Sequence, residues 1–188
     1  MTAKIKINIA DLTPQFIKEI KEKYGNRELE INVNPPNKLD HFKEPLFWEI
    51  ISALDWSKKG DNTAVLAPAI KKLAAQPIRF IYQFQDILAQ KLFLLDGKKY
   101  AQNIGTDAYQ EGKYFSVDQF LYTRCCVVAN GQAAFDAILA NPTLMPKTLT
   151  FEPILTLASK AFELKMGKPF NYFHTTNYET YANEKGWA

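Results

Sequence analysis

The sequence predicts a mainly α protein: an irregular multi-helix domain with a small N-terminal strand–helix–strand appendage and an extended, aromatic C-terminal tail. Three observations carry that expectation. Up to about residue 36, apolar residues recur mostly with the two-residue period of a half-buried strand. From about Leu39 they recur three and four apart, the spacing of a helix face. In the closing stretch "KPFNYFHTTNYETYANEKGWA" the period vanishes while aromatic side chains stay dense, whereas disordered tails are poor in them.

The appendage, residues 1–36, opens with "KIKINI". Ile5, Ile7 and Ile9 point one way and Lys4, Lys6 and Asn8 the other, so a strand is expected. "TPQFIKEIKEKYG" follows as a helix. Thr13 can cap it, Pro14 stands where a missing N–H costs nothing, and Phe16, Ile17 and Ile20 make one stripe. Gly25 suits the left-handed turn that ends it. "RELEINV" alternates again through Leu29, Ile31 and Val33, and "NPPN" stops it because proline has no N–H for a ladder. Two strands and one helix cannot close a core by themselves. Their apolar faces need the rest of the chain, a second copy, or a foreign protein that adds a strand to an open edge.

The helical domain, residues 39–188, begins with "EPLFWEIISALDW", where Leu46, Phe47, Ile50, Ile51 and Leu54 share a face. "DNTAVLAPAIKKLAAQ" is capped by Asp61, and its Pro68 predicts a kink or two short pieces. After Pro77, Ile81, Phe84, Leu88, Leu92 and Leu95 mark a long buried stripe. Residues 98–113 read as a short helix and a loop. The next helix lies in "YFSVDQFLYTRCCVVANG", with Val117, Phe120, Leu121, Cys125 and Val128 facing inward. "GQAAFDAILAN" gives another that stops before Pro142, and "FEPILTLASKAFELKMG" one or two more. Short connections favour antiparallel neighbours, and the tail is expected to lie extended over the helices.

Within "YFSVDQFLYTRCCVVANG", Ser116 and Gln119 fit a capping box, and Asp118 falls in the first turn, where the helix dipole favours a negative charge. Tyr122 lies one turn after Asp118. Arg124 lies too far round the helix to pair with Asp118, so a carboxylate bridge from Asp55, Asp96 or Glu179 is expected to lock helices or tail together. The alternative is an anion or ligand clamp.

At 188 residues the chain can bury a core without disulfide or metal. Its 23 basic and 20 acidic residues balance to +3, which disfavours a polyanion partner and makes nucleic-acid binding the third reading. "MTAKIKINIA" lacks the apolar run of a signal peptide, and "CCVVA" is too short to cross a bilayer, so the cytoplasm is expected and no membrane. Adjacent Cys125 and Cys126 read as reduced, packed thiols. His41 and His174 stand far from them in sequence, without metal-site spacing. No metal or other cofactor is expected.

Four segments taken in order, "FWEIISALDW", "YFSVDQFLYTRCCVVANG", "MPKTLTFE" and "NYETYANEKGW", resemble a bacterial family catalogued as domain of unknown function 4240. The resemblance runs from about Pro45 to Trp187. It implies that the helical domain is one unit including the aromatic tail, and it implies no activity. Residues 1–34 are similar, more loosely, to a strand–helix–strand segment of small antitoxin-like proteins.

Function then divides into three readings. The first is a non-catalytic interaction or regulatory domain, immunity-like in kind, that self-associates or binds a protein partner through residues 1–36. The second is an enzyme or small-ligand binder with a pocket around Asp118, Tyr122 and Arg124. Candidate binding residues beyond those three are Asp55, Trp56, Tyr178, Glu179 and Trp187, since exposed aromatic rings and arginine dominate interface energetics. No catalytic residue is assigned. A cysteine–His174 pair is disfavoured, because an apolar helix face raises a thiol's pKa. Trp48 and Trp56 are expected to fill the core.

Overall fold

The computed structural model describes residues 14–25 and 44–188. The chain divides into two units, Met1–Asn37 and Lys38–Ala188. In the first, helix α1 (Pro14–Tyr24) forms where the apolar stripe predicts. Phe16 and Ile20 are half-buried, but Ile17 is 46% exposed, so the stripe is only partly covered. Gly25, at φ +62°, donates its N–H to Lys21 O at 2.9 Å and closes the helix. The strands expected around residues 4–9 and 27–33 lie outside the described residues.

Among the described residues, the second unit is helical and holds no strand. Its helices are α2 (Glu44–Ile51), α3 (Asn62–Ala74), α4 (Ile78–Leu94), α5 (Lys98–Ala101), α6 (Val117–Ala129), α7 (Gln132–Ala140), α8 (Leu157–Met166) and α9 (Glu184–Trp187). Single turns of 3-10 helix occur at Trp56–Lys58, Pro142–Leu144 and Glu152–Thr156.

Helix α4 is the axis of the core. Ile81, Phe84, Leu88 and Leu92 repeat three and four apart and are fully buried, against α2, α3, α6 and α8. The broadest pairing is α3 on α8. Asp61 starts α3 by accepting the Ala64 N–H at 3.0 Å. The helix then runs unbroken to Ala74 through Pro68, so the expected division there does not occur. Val65, Leu66, Ala69 and Leu73 are all buried, and tertiary packing on both sides of the proline outweighs its missing hydrogen bond.

A lysine clamp joins α2, α4 and α7. Lys91 pairs with Glu44, and its ammonium lies 5.6 Å from the Trp48 ring and 5.0 Å from the Phe135 ring. Trp48 Nε1 donates to the same Glu44 oxygen at 3.2 Å. The Lys91 bond holds the Glu44 carboxyl below its ordinary pKa; partial burial opposes it and the Trp48 bond assists. Trp48 is therefore a core ring, as expected. Trp56 is not: it is 42% exposed, resting on Phe151 at 4.9 Å at the edge of the domain.

Helix α6 is buried on nearly every side, not along one face. Val117, expected inside, is 43% exposed at the first turn, while Thr123, Arg124, Cys126 and Val127 join the interior. The reason is position: α6 touches α4, α7 and the Glu152–Thr156 turn, and a helix enclosed by neighbours has no free side.

Beyond α8, Gly167 takes the left-handed conformation (φ +64°) and releases the chain. Residues 168–183 then run without helix across the α4 side of the domain until α9. Tyr172 stacks on Tyr82 at 4.7 Å and donates its hydroxyl to Asp86 Oδ2 at 2.7 Å. Thr175 N–H reaches Asp86 Oδ1 at 3.0 Å.

Candidate functional site

Two fully buried formal charges fasten the end of the tail. Arg124, midway along α6, has no exposed surface. Its Nη1 donates to Leu92 O and Tyr178 O, and its Nη2 to Thr180 Oγ1, each at 2.9 Å. The Thr180 hydroxyl in turn donates a hydrogen bond to Val117 O at 2.8 Å. Leu92 O belongs to the last turn of α4, where carbonyls lack helical partners and the dipole favours a cation. The guanidinium carbon sits 4.8 Å from the Phe120 ring.

The second charge is Asp96, just past the end of α4 and also fully buried. Its Oδ1 accepts the Tyr181 N–H at 3.2 Å and Trp187 Nε1–H at 2.8 Å. Its Oδ2 accepts the Asn183 N–H at 2.9 Å. The Arg–carboxylate bridge expected for Arg124 is thus replaced by three neutral oxygens. Of the three candidate partners, Asp55 accepts from Ser57 N and Oγ, Asp96 accepts from the tail, and Glu179 is exposed. Burial lowers the arginine's proton affinity, and the nearby Asp96 carboxylate is the strongest influence opposing it.

The latch is tight and locally strained. Tyr181 holds φ +78°, a conformation costing a bulky residue on the order of 1–3 kcal/mol, while its ring packs 4.4 Å from Trp187. A Cβ on Gly186 would fall 2.5 Å from Asp96 O, and one on Gly97 would fall 2.9 Å from Gly186 O. Only two glycines allow these backbones to meet.

The residues singled out from the sequence fall in three places. Arg124, Tyr178 and Trp187 meet at the latch, with Glu179 exposed on the same stretch. Asp118 is exposed on the first turn of α6, and half-buried Tyr122 lies beside Glu152. Burial, then the Glu152 and Asp118 carboxylates, push the Tyr122 phenol up. Trp56 stands elsewhere, at a groove described below, and its neighbour Asp55 caps the Trp56–Lys58 turn through Ser57. Asp118 and Tyr122 share a side of the helix, but Arg124 points elsewhere, because six residues from Asp118 and two from Tyr122 turn its side chain well away from that face.

The thiols are placed for packing. Burial pushes Cys125 up to about 12 and raises Cys126, against which Asn130 Nδ2 lies at 3.5 Å. His174 packs on the Tyr178 ring at 4.6 Å. Among the described residues no three His, Cys, Asp or Glu side chains are grouped to hold a metal, and no helix is long and apolar enough to cross a membrane.

A groove of about 470 Å³ opens between the Trp56–Lys58 turn, the start of α3, the end of α6 and residues 149–151. Val65, Cys126 and Phe151 form its floor, and Trp56, Lys59 and Leu149 flank it. Sequence reasoning missed it because three distant segments build it. The available signal was Trp56 and Lys59 together beside the Asp61 cap.

A family model described as protein of unknown function DUF4240 matches residues 42–164. That span covers α2 to most of α8 and ends before the tail. No curated protein and no solved structure matches.

Proposed function

The chain belongs to the DUF4240 family, and from the way its helices spend their buried charges we propose that it is a non-catalytic interaction domain, cytoplasmic and regulatory or immunity-like in kind. The observation that carries this reading is Arg124. Its two terminal nitrogens are both engaged by the chain's own Leu92, Tyr178 and Thr180, which leaves them committed to holding the fold. The thiol most deeply packed beside it, Cys125, is pushed up to about 12, far from the thiolate a nucleophile needs.

Association is assigned to residues 1–36. In support, α1 presents Ile17 at 46% exposure on the stripe shared with Phe16 and Ile20, and amphipathic elements of this size gain stability by covering such a stripe. Light scattering of the full chain, of Ile17→Glu and of a chain beginning at Leu39 tests it. A full-chain oligomer that becomes a monomer in both variants is expected. All three running at their own monomer masses rejects association through this region.

A further inference from the structure

The groove beside Trp56 shares no lining residue with the Arg124–Asp96 latch. Its floor is apolar and closed: Val65 is 1% exposed, and Cys126 and Phe151 are each 7% exposed. Its flanks are apolar and open, with Trp56 at 42% and Leu149 at 55%. A volume of about 470 Å³ falls within the roughly 300–1,000 Å³ of small-ligand clefts.

The polar groups are asymmetric. Among the described residues Lys59 is the one charged residue lining the groove; its backbone N–H donates to Trp56 O at 3.3 Å, while its ammonium has no hydrogen bond or ion pair there. The two carboxylates nearest in sequence are turned elsewhere, Asp55 to Ser57 and Asp61 to the Ala64 N–H. Asn130 spends its amide N–H on Cys126 O at 2.7 Å. Burial raises the Cys126 thiol, and the Asn130 bond and then the Lys59 charge oppose it. An apolar trough with a single unpaired cation complements a ligand of one anionic end and one apolar body.

We propose that this groove binds a small amphiphilic monocarboxylate, its apolar body on Trp56, Val65 and Phe151 and its carboxylate on Lys59. The site is independent of association through residues 1–36, so either can fail alone.

Calorimetric titration of the full chain with octanoate, and with 1-octanol as the uncharged match, decides it. Octanoate binds at one site and changes Trp56 emission, a change lost in Trp56→Phe. Lys59→Met weakens octanoate about threefold to fivefold, the most an exposed ion pair supplies, and brings it level with octanol. Leu149→Glu weakens octanoate further by repulsion. Positions 59 and 149 are both exposed, so each variant keeps the helical circular dichroism of the parent. Absence of octanoate binding at millimolar concentration overturns the proposal. So does equal affinity for octanoate and octanol in the parent, or binding indifferent to Lys59→Met.

Discussion

Asp96 and Arg124 carry opposite charges and no exposed surface, yet neither spends a hydrogen bond on the other: both grip residues 178–187. Asp96 takes N–H groups of that stretch and Arg124 takes its carbonyl and hydroxyl oxygens. An extended segment has no ladder or helix to satisfy its backbone, so a buried one must find acceptors and donors elsewhere. One acid at the end of α4 and one base on α6 provide both kinds. The opposed charges also lower each other's cost of burial through space.

Replacing Arg124 with Met removes three charge-assisted bonds and leaves Leu92 O and Tyr178 O without that donor. Such bonds are worth about 1.5–3 kcal/mol each, partly offset because a buried cation no longer has to be desolvated. A net loss of roughly 2–4 kcal/mol is expected in urea unfolding, with faster amide exchange concentrated at residues 178–187. Arg124→Lys loses most of this as well, since an ammonium lacks the planar fork that reaches Leu92, Tyr178 and Thr180 together. An unchanged unfolding midpoint in Arg124→Met refutes the latch.

The pair also predicts non-additivity. Asp96→Asn and Arg124→Met each leave one buried charge without its counter-charge, whereas the double variant leaves none. The double-mutant cycle is expected to show a coupling of about 0.5–3 kcal/mol. Additive losses mean that the two charges act on the tail separately.

Much of this fold was legible in the sequence where local rules operate. Asp61 and Ser116 cap the helices they precede, and the stripe Ile81, Phe84, Leu88, Leu92 is the core axis. Long-range consequences were not legible. Pro68 reads as a kink or a division because its missing N–H is local, while the packing that keeps Asn62–Ala74 one helix is long-range, α8 foremost. The position of Arg124 on α6 requires a partner from outside its helix, but does not say that the partners are neutral oxygens and not a carboxylate. Main-chain oxygens of a tail have no side-chain identity to read. The groove at Trp56 and Lys59 depends on Cys126 and Phe151 arriving from far along the chain.

Gly186→Ala tests the tightness of the latch by sterics alone. The new methyl carbon would sit 2.5 Å from Asp96 O, a main-chain atom with little freedom to retreat. A loss of about 1–3 kcal/mol is expected, and Gly97→Ala, which meets Gly186 O at 2.9 Å, follows in the same direction. Gly112→Ala is a different case: its Cβ meets nothing within 4 Å, and its cost comes only from φ +76°. Thermal unfolding should therefore show loss of Trp187 burial by fluorescence in the first two variants and not in the third.

Alkaline pH should loosen the protein through its buried acids. The Cys125 thiol, ordinarily near 9.0, is held protonated up to about 12 by burial. Tyr172, ordinarily near 10.0, is held to about 12 by burial first and then by its hydrogen bond to Asp86. Between these ordinary values and about 12 the unfolded chain binds fewer protons than the folded one, so stability falls as pH rises. Below about pH 9 the contribution of both groups is fully present. The melting temperature is expected to stay level from pH 7 to about 9 and to decline towards 12. Cys125→Ala lowers the plateau by leaving a small void, but its decline begins later, because the first group to titrate in the unfolded chain is gone. Tyr172→Phe flattens the upper part of the decline, above about pH 10. A decline of the same onset and slope in both variants assigns the alkaline transition to other groups.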